Sequence, residues 1–377
     1  MLFGLKSGLR SLSSHYRCFN SSAQLRGHAA ERLRILFCGS DSYSAKHLKA
    51  LVDHRDKPDS NIGKIHVVTR TDKPSGRGLK TLKAPRIKEV ASELGLPLHQ
   101  IDTFTGWTPP ETDLIIAVSF GLLIPARIIK SNRYGGLNVH PSLLPDLRGP
   151  APVPWAVFHG RTQTGVTVQT LHQTRFDHGL IVYQSAKVDI ANQNLFEIFG
   201  RLTSVSVKAL LHVLQHRLYE SPNQFSAVRE EENITHAPKV KTEDRLIDFQ
   251  TMPAVEIRRR GMAFGRPFAF IDVKGRKRQV SFSVADRQWT GTTGAELETP
   301  VGIPFARRQV GYDPLRCDGH ILVRTIDGCV LVIKVMTISG QKQAPAMQAA
   351  ARAHLFEEPE TVGEKAIWRF KAPLTST

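Results

Sequence analysis

No apolar run in this chain approaches the ~20 residues that a bilayer-spanning helix requires, so a membrane-embedded protein has nothing to rest on. Cysteine is scarce: Cys18, Cys38, Cys317 and Cys329 are the only four among 377 residues. They form no CxxC pair and have no histidines at metal-ligand spacing, so neither a disulfide framework nor a metal site is expected. Phosphate-binding glycine motifs are missing too. No GxGxxG or GxxxxGK[ST] stands between a strand and a helix, which argues against a dinucleotide or ATP cradle. Acid is absent from the first thirty residues, where Lys6, Arg10, Arg17 and Arg26 lie among many serines. With Leu2, Phe3, Leu5, Leu9 and Leu12 able to share one helical face, residues 1–31 read as a mitochondrial transit peptide, and the mature chain is expected in the matrix. A non-targeting disordered arm is the alternative.

What is abundant is positive charge. The formal net charge is +17, and the leader's four bases and one acid leave +14 on the rest. Such a balance implies an anionic partner without naming it. At 41% hydrophobic the chain can bury a sizeable core, and its length suggests two domains. Residues 32–217 alternate β-rich runs (RLRILFCGS, KIHVVTR, TDLIIAVSF, GGLNVHPS) with helical patterns, the rhythm of a Rossmann-like, mostly parallel sheet covered by helices. TGVTVQTLH and GLIVYQSAKVDI read as two further β runs, and Leu195 to Leu218 as an amphipathic helix. Residues 218–240 are polar, carry two prolines and read as a linker. Beyond them, 241–377 show short β runs (FAFIDVKG, RQVSFSVA, HILVRTIDG, CVLVIKVMTI) expected to form a small OB-like β-barrel.

The stretch LNVHPSLLP, residues 137–145, puts an amide and an imidazole into an otherwise apolar strand. Asn138 and His140 are two apart, so on an extended strand they point to one side. Ligands of open α/β sheets bind at the carboxyl ends of strands, where this one ends. Either residue alone is more simply a core side chain satisfied by backbone. Together, ahead of a proline-bounded loop, they read as a site.

NVHPSLLP, LRGPAPVPWAVFHG and TGVTVQTLHQTRFDHGLIVYQ together resemble the folate-dependent formyltransferases. VVTRTDKPSGRG, VSFGLLIP, KTEDRLIDF and the late DGHILVRTIDG and ISGQKQAPAM resemble the branch whose acceptor is methionyl-tRNA. The resemblance implies a catalytic trio at Asn138, His140 and Asp177, the last within FDHG. It implies 10-formyltetrahydrofolate as formyl donor, with no metal, and a folate cleft formed by Ser142, Leu143, Leu144, Pro145, Leu122 and Ile181. It also implies initiator methionyl-tRNA as partner, met by Arg77 in the PSGRG loop. Attack of an α-amino group on a formyl carbon develops an oxyanion, and Asn138 and His140 are suitable donors to it. Asp177 would orient His140 and relay a proton.

Lys73, Lys80 and Lys83 flank Arg77, and a basic loop of this kind can grip phosphates or can simply be solvated. Arg258, Arg259, Lys274 and Lys277 belong to a basic cluster in the second domain, matching a barrel that tracks an RNA backbone. A monomer is expected. Two other readings stay open: another folate-dependent formyltransferase or a formyl-folate hydrolase, neither needing a basic β domain, and an inactive RNA-binding protein, against which the intact trio argues.

Overall fold

A computed structural model of the chain describes residues 32–222, 234–273, 275–284, 299–309, 313–314, 319–362 and 365–376. The expected leader and residues 223–233 of the expected linker lie outside the described residues. From Arg32 onward the chain forms one compact unit.

Its first half builds a seven-stranded sheet in the order Ile181–Gln184, Thr167–Thr170, Gly136–His140, Leu114–Val118, Leu33–Gly39, Ile62–Thr69, Leu98–Gln100. The last five in this order run parallel. At the other edge Thr167–Thr170 pairs antiparallel with Gly136–His140, and Ile181–Gln184 pairs antiparallel with Thr167–Thr170 in turn. The sheet is thus mostly parallel, as the alternating rhythm predicts. GLIVYQSAKVDI breaks into two pieces, because Val188–Asp189 leaves the main sheet to pair with Gln163–Thr164. In Leu33–Gly39, Ile35 and Phe37 face one side while Leu36 and Cys38 face the other, and all four are fully buried. Burial on both faces is what helices on both sides of a parallel sheet impose.

Local signals start the helices. Asp41 caps Ser42–Arg55, its carboxylate accepting from the Ser44 amide at 2.9 Å. Asn194 and Glu197 form a reciprocal capping box at the head of Leu195–Gln215. That helix lays Ile198, Leu202, Leu210, Val213 and Leu214 into the core, each worth about 1.5–3 kcal/mol on burial. It ends at Gln215 rather than Leu218, because Arg217 turns left-handed at φ +53°.

From Leu33–Gly39 the chain builds outward through Ile62–Thr69 to Leu98–Gln100, then returns to the opposite side at Leu114–Val118. The reversal opens a crevice at the carboxyl ends of these strands. Gly136–His140 ends beside it.

The second half is an antiparallel sheet ordered Phe268–Val273, Arg276–Val284, Val330–Ile338, Ile321–Arg324, Pro304–Gln309, Lys365–Arg369, Glu360–Val362. Phe249, Phe282, Ile333, Met336 and Met347 fill its core, with the helix Ala346–Arg352 against it. Among the described residues no ladder joins the first of these strands to the last. The helix Ala254–Phe264 packs back on the helix Pro152–Phe158, with Phe264 ring centroids 5.0 Å from Trp155 and 5.1 Å from Phe158. The Arg260 guanidinium sits 5.3 Å from the Phe158 ring centroid.

Candidate active site

Along Gly136–His140, Leu137 and Val139 join the core on one face, leaving Asn138 and His140 on the other. Gly136 permits the close packing here, since a Cβ on it would lie 2.5 Å from Leu171 Cδ1. Across the antiparallel ladder Asn138 stands opposite Gln169, and His140 opposite Thr167. The cross-strand pairs therefore share the site's face.

Asp177 enters this face from the loop after Thr167–Thr170. Its backbone is left-handed, φ +57°, a conformation aspartate tolerates better than most residues. Gly179, just beyond, donates its amide to Gln169 Oε1 at 3.2 Å. A Cβ on Gly179 would stand 1.7 Å from the Thr170 carbonyl oxygen, so only glycine fits.

Four groups then close on the Asp177 carboxylate. Asn138 Nδ2 donates to Oδ1 at 3.2 Å and Gln169 Nε2 to the same oxygen at 3.0 Å. The Gly149 amide donates to Oδ2 at 2.9 Å. His140 Nδ1 lies 3.4 Å from Oδ1. The His140 and Asp177 side chains are 6% and 8% exposed, so this pairing supplies partners that water cannot. His140 Nε2 lies 3.0 Å from the Leu147 carbonyl oxygen, which only accepts, so Nε2 carries a hydrogen. Asn138 is half-buried, and its amide nitrogen has a second hydrogen beyond the one given to Asp177.

Thr167 organises the following loop. Its hydroxyl donates to the Ser142 carbonyl at 2.7 Å and accepts from the Leu144 amide at 3.0 Å. Gln184 Nε2 donates to the Leu144 carbonyl at 2.8 Å. Ser142 and Leu144 are buried, and the Ser142 hydroxyl donates to the Asp146 carbonyl at 2.8 Å, so their polar atoms are spent on holding the loop. Leu143, Pro145 and Ile181 are half-buried, and the Leu144–Pro145 peptide is cis. Leu122 borders a cavity of about 320 Å³ together with Asp102, Phe104, Leu123, Pro125 and Arg127.

The basic loop is a hairpin: Lys73–Ser75 pairs with Thr81–Lys83 around a turn in which Gly76 and Gly78 take φ +78° and +75°. Lys80 and Lys83 are exposed. The Arg77 side chain lies outside what is described. Lys73 is already engaged, its Nζ 2.6 Å from Asp102 Oδ2, while Arg70 Nε reaches Oδ1 at 2.7 Å. Lys73 first, then the Thr71 hydroxyl and Arg70, hold the Asp102 carboxyl well below the usual carboxylate range. Arg258 and Arg259 sit on Ala254–Phe264, and the Arg259 guanidinium lies against Gly160, where a Cβ would come within 2.2 Å of Nη2. Lys277 Nζ stands 4.1 Å from the Phe270 ring centroid. Lys274 lies outside the described residues. Among the described residues no group of three or more His, Cys, Asp or Glu could hold a metal ion, and no helix is long and apolar enough to cross a membrane.

Sequence reasoning missed Gln169, Thr167, Leu147 and Gly149. The alternation T-V-Q-T, with Val166 and Val168 in the core, carries the signal for the first two. The other two act through backbone atoms and leave no side-chain signature.

Residues 33–214 match the family model described as formyl transferase. The chain is 33% identical over 296 residues to the mitochondrial methionyl-tRNA formyltransferase of Saccharomyces cerevisiae, covering 68% of this chain and 73% of that one. It is 30% identical over 303 residues to the methionyl-tRNA formyltransferase of Chromohalobacter salexigens, covering 78% and 87%. Among solved structures, the sugar 3N-formyl transferase WlaRD superposes with a TM-score of 0.49 at 14% identity, over 82% of this chain and 99% of that one.

Proposed function

Because the chain belongs to the methionyl-tRNA formyltransferase family, we propose that the Asn138, His140 and Asp177 cluster carries formyl transfer from 10-formyltetrahydrofolate to the α-amino group of methionyl initiator tRNA. The observation that supports this most is the convergence on one buried carboxylate of groups from two segments, 138–149 and 169–177.

The amine nitrogen attacks the formyl carbon, a C–N bond forms, and the bond from that carbon to the folate nitrogen breaks. The amine gives up a proton and the departing folate nitrogen takes one. An α-amino group titrates near ~8, so presenting it neutral costs about 1 kcal/mol at pH 7. The tetrahedral oxyanion is the larger demand, for which one fixed donor is worth about 3–4 kcal/mol. Asn138 supplies its second amide hydrogen. His140 adds its Nε2 hydrogen once the substrate competes with the Leu147 carbonyl for it, and Asp177 holds the ring and relays the proton.

Leu122, Leu143, Pro145 and Ile181 offer the folate half-buried apolar contacts beside the buried Ser142 and Leu144. Arg77, Lys73, Lys80 and Lys83 of the hairpin and Arg258, Arg259, Lys274 and Lys277 of the second half meet RNA phosphates, with 241–377 acting as an OB-like tRNA-binding domain. The basic, serine-rich leader and the mitochondrial yeast relative support import of a monomeric chain into the matrix.

The full chain is to be incubated with methionyl initiator tRNA and 10-formyltetrahydrofolate. Formylmethionyl-tRNA is expected, dependent on both substrates. Release of formate from the folate with no formylated tRNA would replace this reading with that of a hydrolase, and no turnover at all would leave an RNA-binding protein.

A further inference from the structure

By composition the stretch from Thr235 to Pro238 belongs to the linker between the two sheets. Its backbone is instead paired against the loop that leaves the catalytic strand. The Leu147 amide donates to the Thr235 carbonyl at 2.8 Å, the Ala237 amide to the Arg148 carbonyl at 2.7 Å, and the Ala151 amide to the Ala237 carbonyl at 3.2 Å. Arg148 and His236 form a parallel bridge. Ala237 is fully buried, and a Cβ on Gly149 would lie 2.3 Å from its carbonyl oxygen. Two side chains reinforce the contact. Trp155 Nε1 donates to the Pro238 carbonyl at 2.8 Å. Arg161 Nη2 reaches Thr235 Oγ1 at 3.0 Å and Asp146 Oδ2 at 3.2 Å, tying this stretch to the loop.

The same loop holds both ionisable members of the trio, through the Leu147 carbonyl on His140 and the Gly149 amide on Asp177. A tether that merely joined two sheets would need length, not a fully buried residue and three backbone hydrogen bonds. We propose that Thr235–Pro238 is a strap that registers the loop Leu147–Ala151 and thereby positions His140 and Asp177, with Trp155 and Arg161 as positioning residues. The proposal rests on the reading of the trio given above.

The strap also links the RNA-facing half to the chemistry. Trp155, which grips it, packs its ring against Phe264 of the helix Ala254–Phe264, the helix that carries Arg258 and Arg259. Engagement of that helix by a polyanion bears on the helix Pro152–Phe158, and through Trp155 on the strap. Acceptor binding far from the reacting atoms is in this way coupled to their alignment, as expected where remote binding energy serves the transition state.

Trp155→Phe keeps an aromatic ring against Phe264 and removes the hydrogen bond to Pro238, together with part of the ring's contact with Phe158 and His159. Arg161→Gln, at a half-exposed side chain, cuts the tie between Asp146 and Thr235. Both are to be compared with the full-length wild type in steady-state formylation, at a temperature where circular dichroism shows each folded. Each is expected to lower kcat about three- to tenfold, the scale of one lost hydrogen bond, while KM for both substrates stays within about twofold. Arg161→Lys, which keeps a cation beside Asp146, is expected to recover part of the lost kcat, which general loss of stability would not do. Unchanged kcat in both variants, or an effect confined to KM, would overturn the strap. Should Trp155→Phe not fold, Arg161→Gln decides alone. Failure of the wild type to formylate tRNA would instead remove the reading of the trio, so the two failures are distinct.

Discussion

Asn138 and Gln169 stand opposite each other across an antiparallel ladder and donate to the same oxygen of Asp177, at 3.2 and 3.0 Å. The reversal of strand direction at Thr167–Thr170 makes this possible, because an antiparallel neighbour places its residues directly across and on the same face. Gln169 is 1% exposed, and its other amide atom accepts from Gly179, so one side chain fixes the carboxylate and the turn that delivers it.

Gln169→Leu keeps the volume and removes both contacts. Hydrogen bonds to charged groups are worth about 1.5–3 kcal/mol, so kcat is expected to fall about 10- to 100-fold. Steady-state kinetics with folate and tRNA both varied would check this, and a change in KM alone would contradict it.

Asp177→Asn isolates charge from shape, since asparagine also tolerates the left-handed backbone at this position. The substituted amide presents donors or a weaker acceptor to Asn138, Gln169 and Gly149, and it no longer attracts the imidazole. Single-turnover formylation is expected to slow by about 100-fold or more with the fold intact by circular dichroism. Near-normal turnover would remove the aspartate from the mechanism.

Asp102→Asn addresses the hairpin. Asp102 neutralises Lys73 and Arg70 in the protein as it stands, and its folded-state pKa is depressed, chiefly by Lys73. A depressed carboxylate stabilises the folded arrangement above its ordinary titration range near ~3.9 and loses that contribution as pH falls through the lower folded value. No titration of Asp102 should therefore appear in tRNA binding between pH 6 and 9. In the wild type a Lys73–phosphate contact is offset by the lost pair with Asp102, an offset the variant removes, so the slope of log K against log salt is expected to steepen by about one unit, read by filter binding across a salt series. An unchanged slope would leave Lys73 without a phosphate partner.

His47 predicts a pH dependence of stability. It is fully buried, with Nδ1 2.8 Å from the Tyr43 carbonyl oxygen, and burial pushes its pKa down to about 4. The unfolded chain binds a proton near ~6.5 and the folded chain does not, so stability falls as pH drops from about 6.5 towards 4, by up to about 3 kcal/mol. Urea unfolding at pH 7 and pH 4.5 should show the loss, and His47→Phe should flatten it. Equal slopes in both proteins would assign the acid sensitivity to other groups.

Much of the first half was legible because its signals are local. Strand alternation puts Asn138 and His140 on one face, and the apolar spacing from Leu195 marks its helix to within three residues of its end. What escaped was non-local. Gln169 in TGVTVQTLH reads as any polar residue on a half-buried strand until its register against Asn138 is known. Ala254–Phe264 hides its buried face behind three successive arginines, of which Arg260 turns inward to Glu256 and Phe158. Thr235–Pro238 has linker composition and is paired through backbone atoms, which no side-chain pattern reports.

The order of strands also sets a length. The strand Gly136–His140, which carries the proposed site, and the strand Ile62–Thr69, from which the basic hairpin grows, both run parallel to Leu33–Gly39, so their carboxyl ends lie on the same edge of the sheet. Leu114–Val118 and Leu33–Gly39 lie between them, which makes three inter-strand steps and a separation of about 14 Å. On the proposed reading, an acceptor held by the hairpin and reacting beside Asn138 has to bridge that interval. The sheet is thus a ruler, and on the proposed reading it favours an amine carried at the end of a chain long enough to reach from the hairpin to the trio.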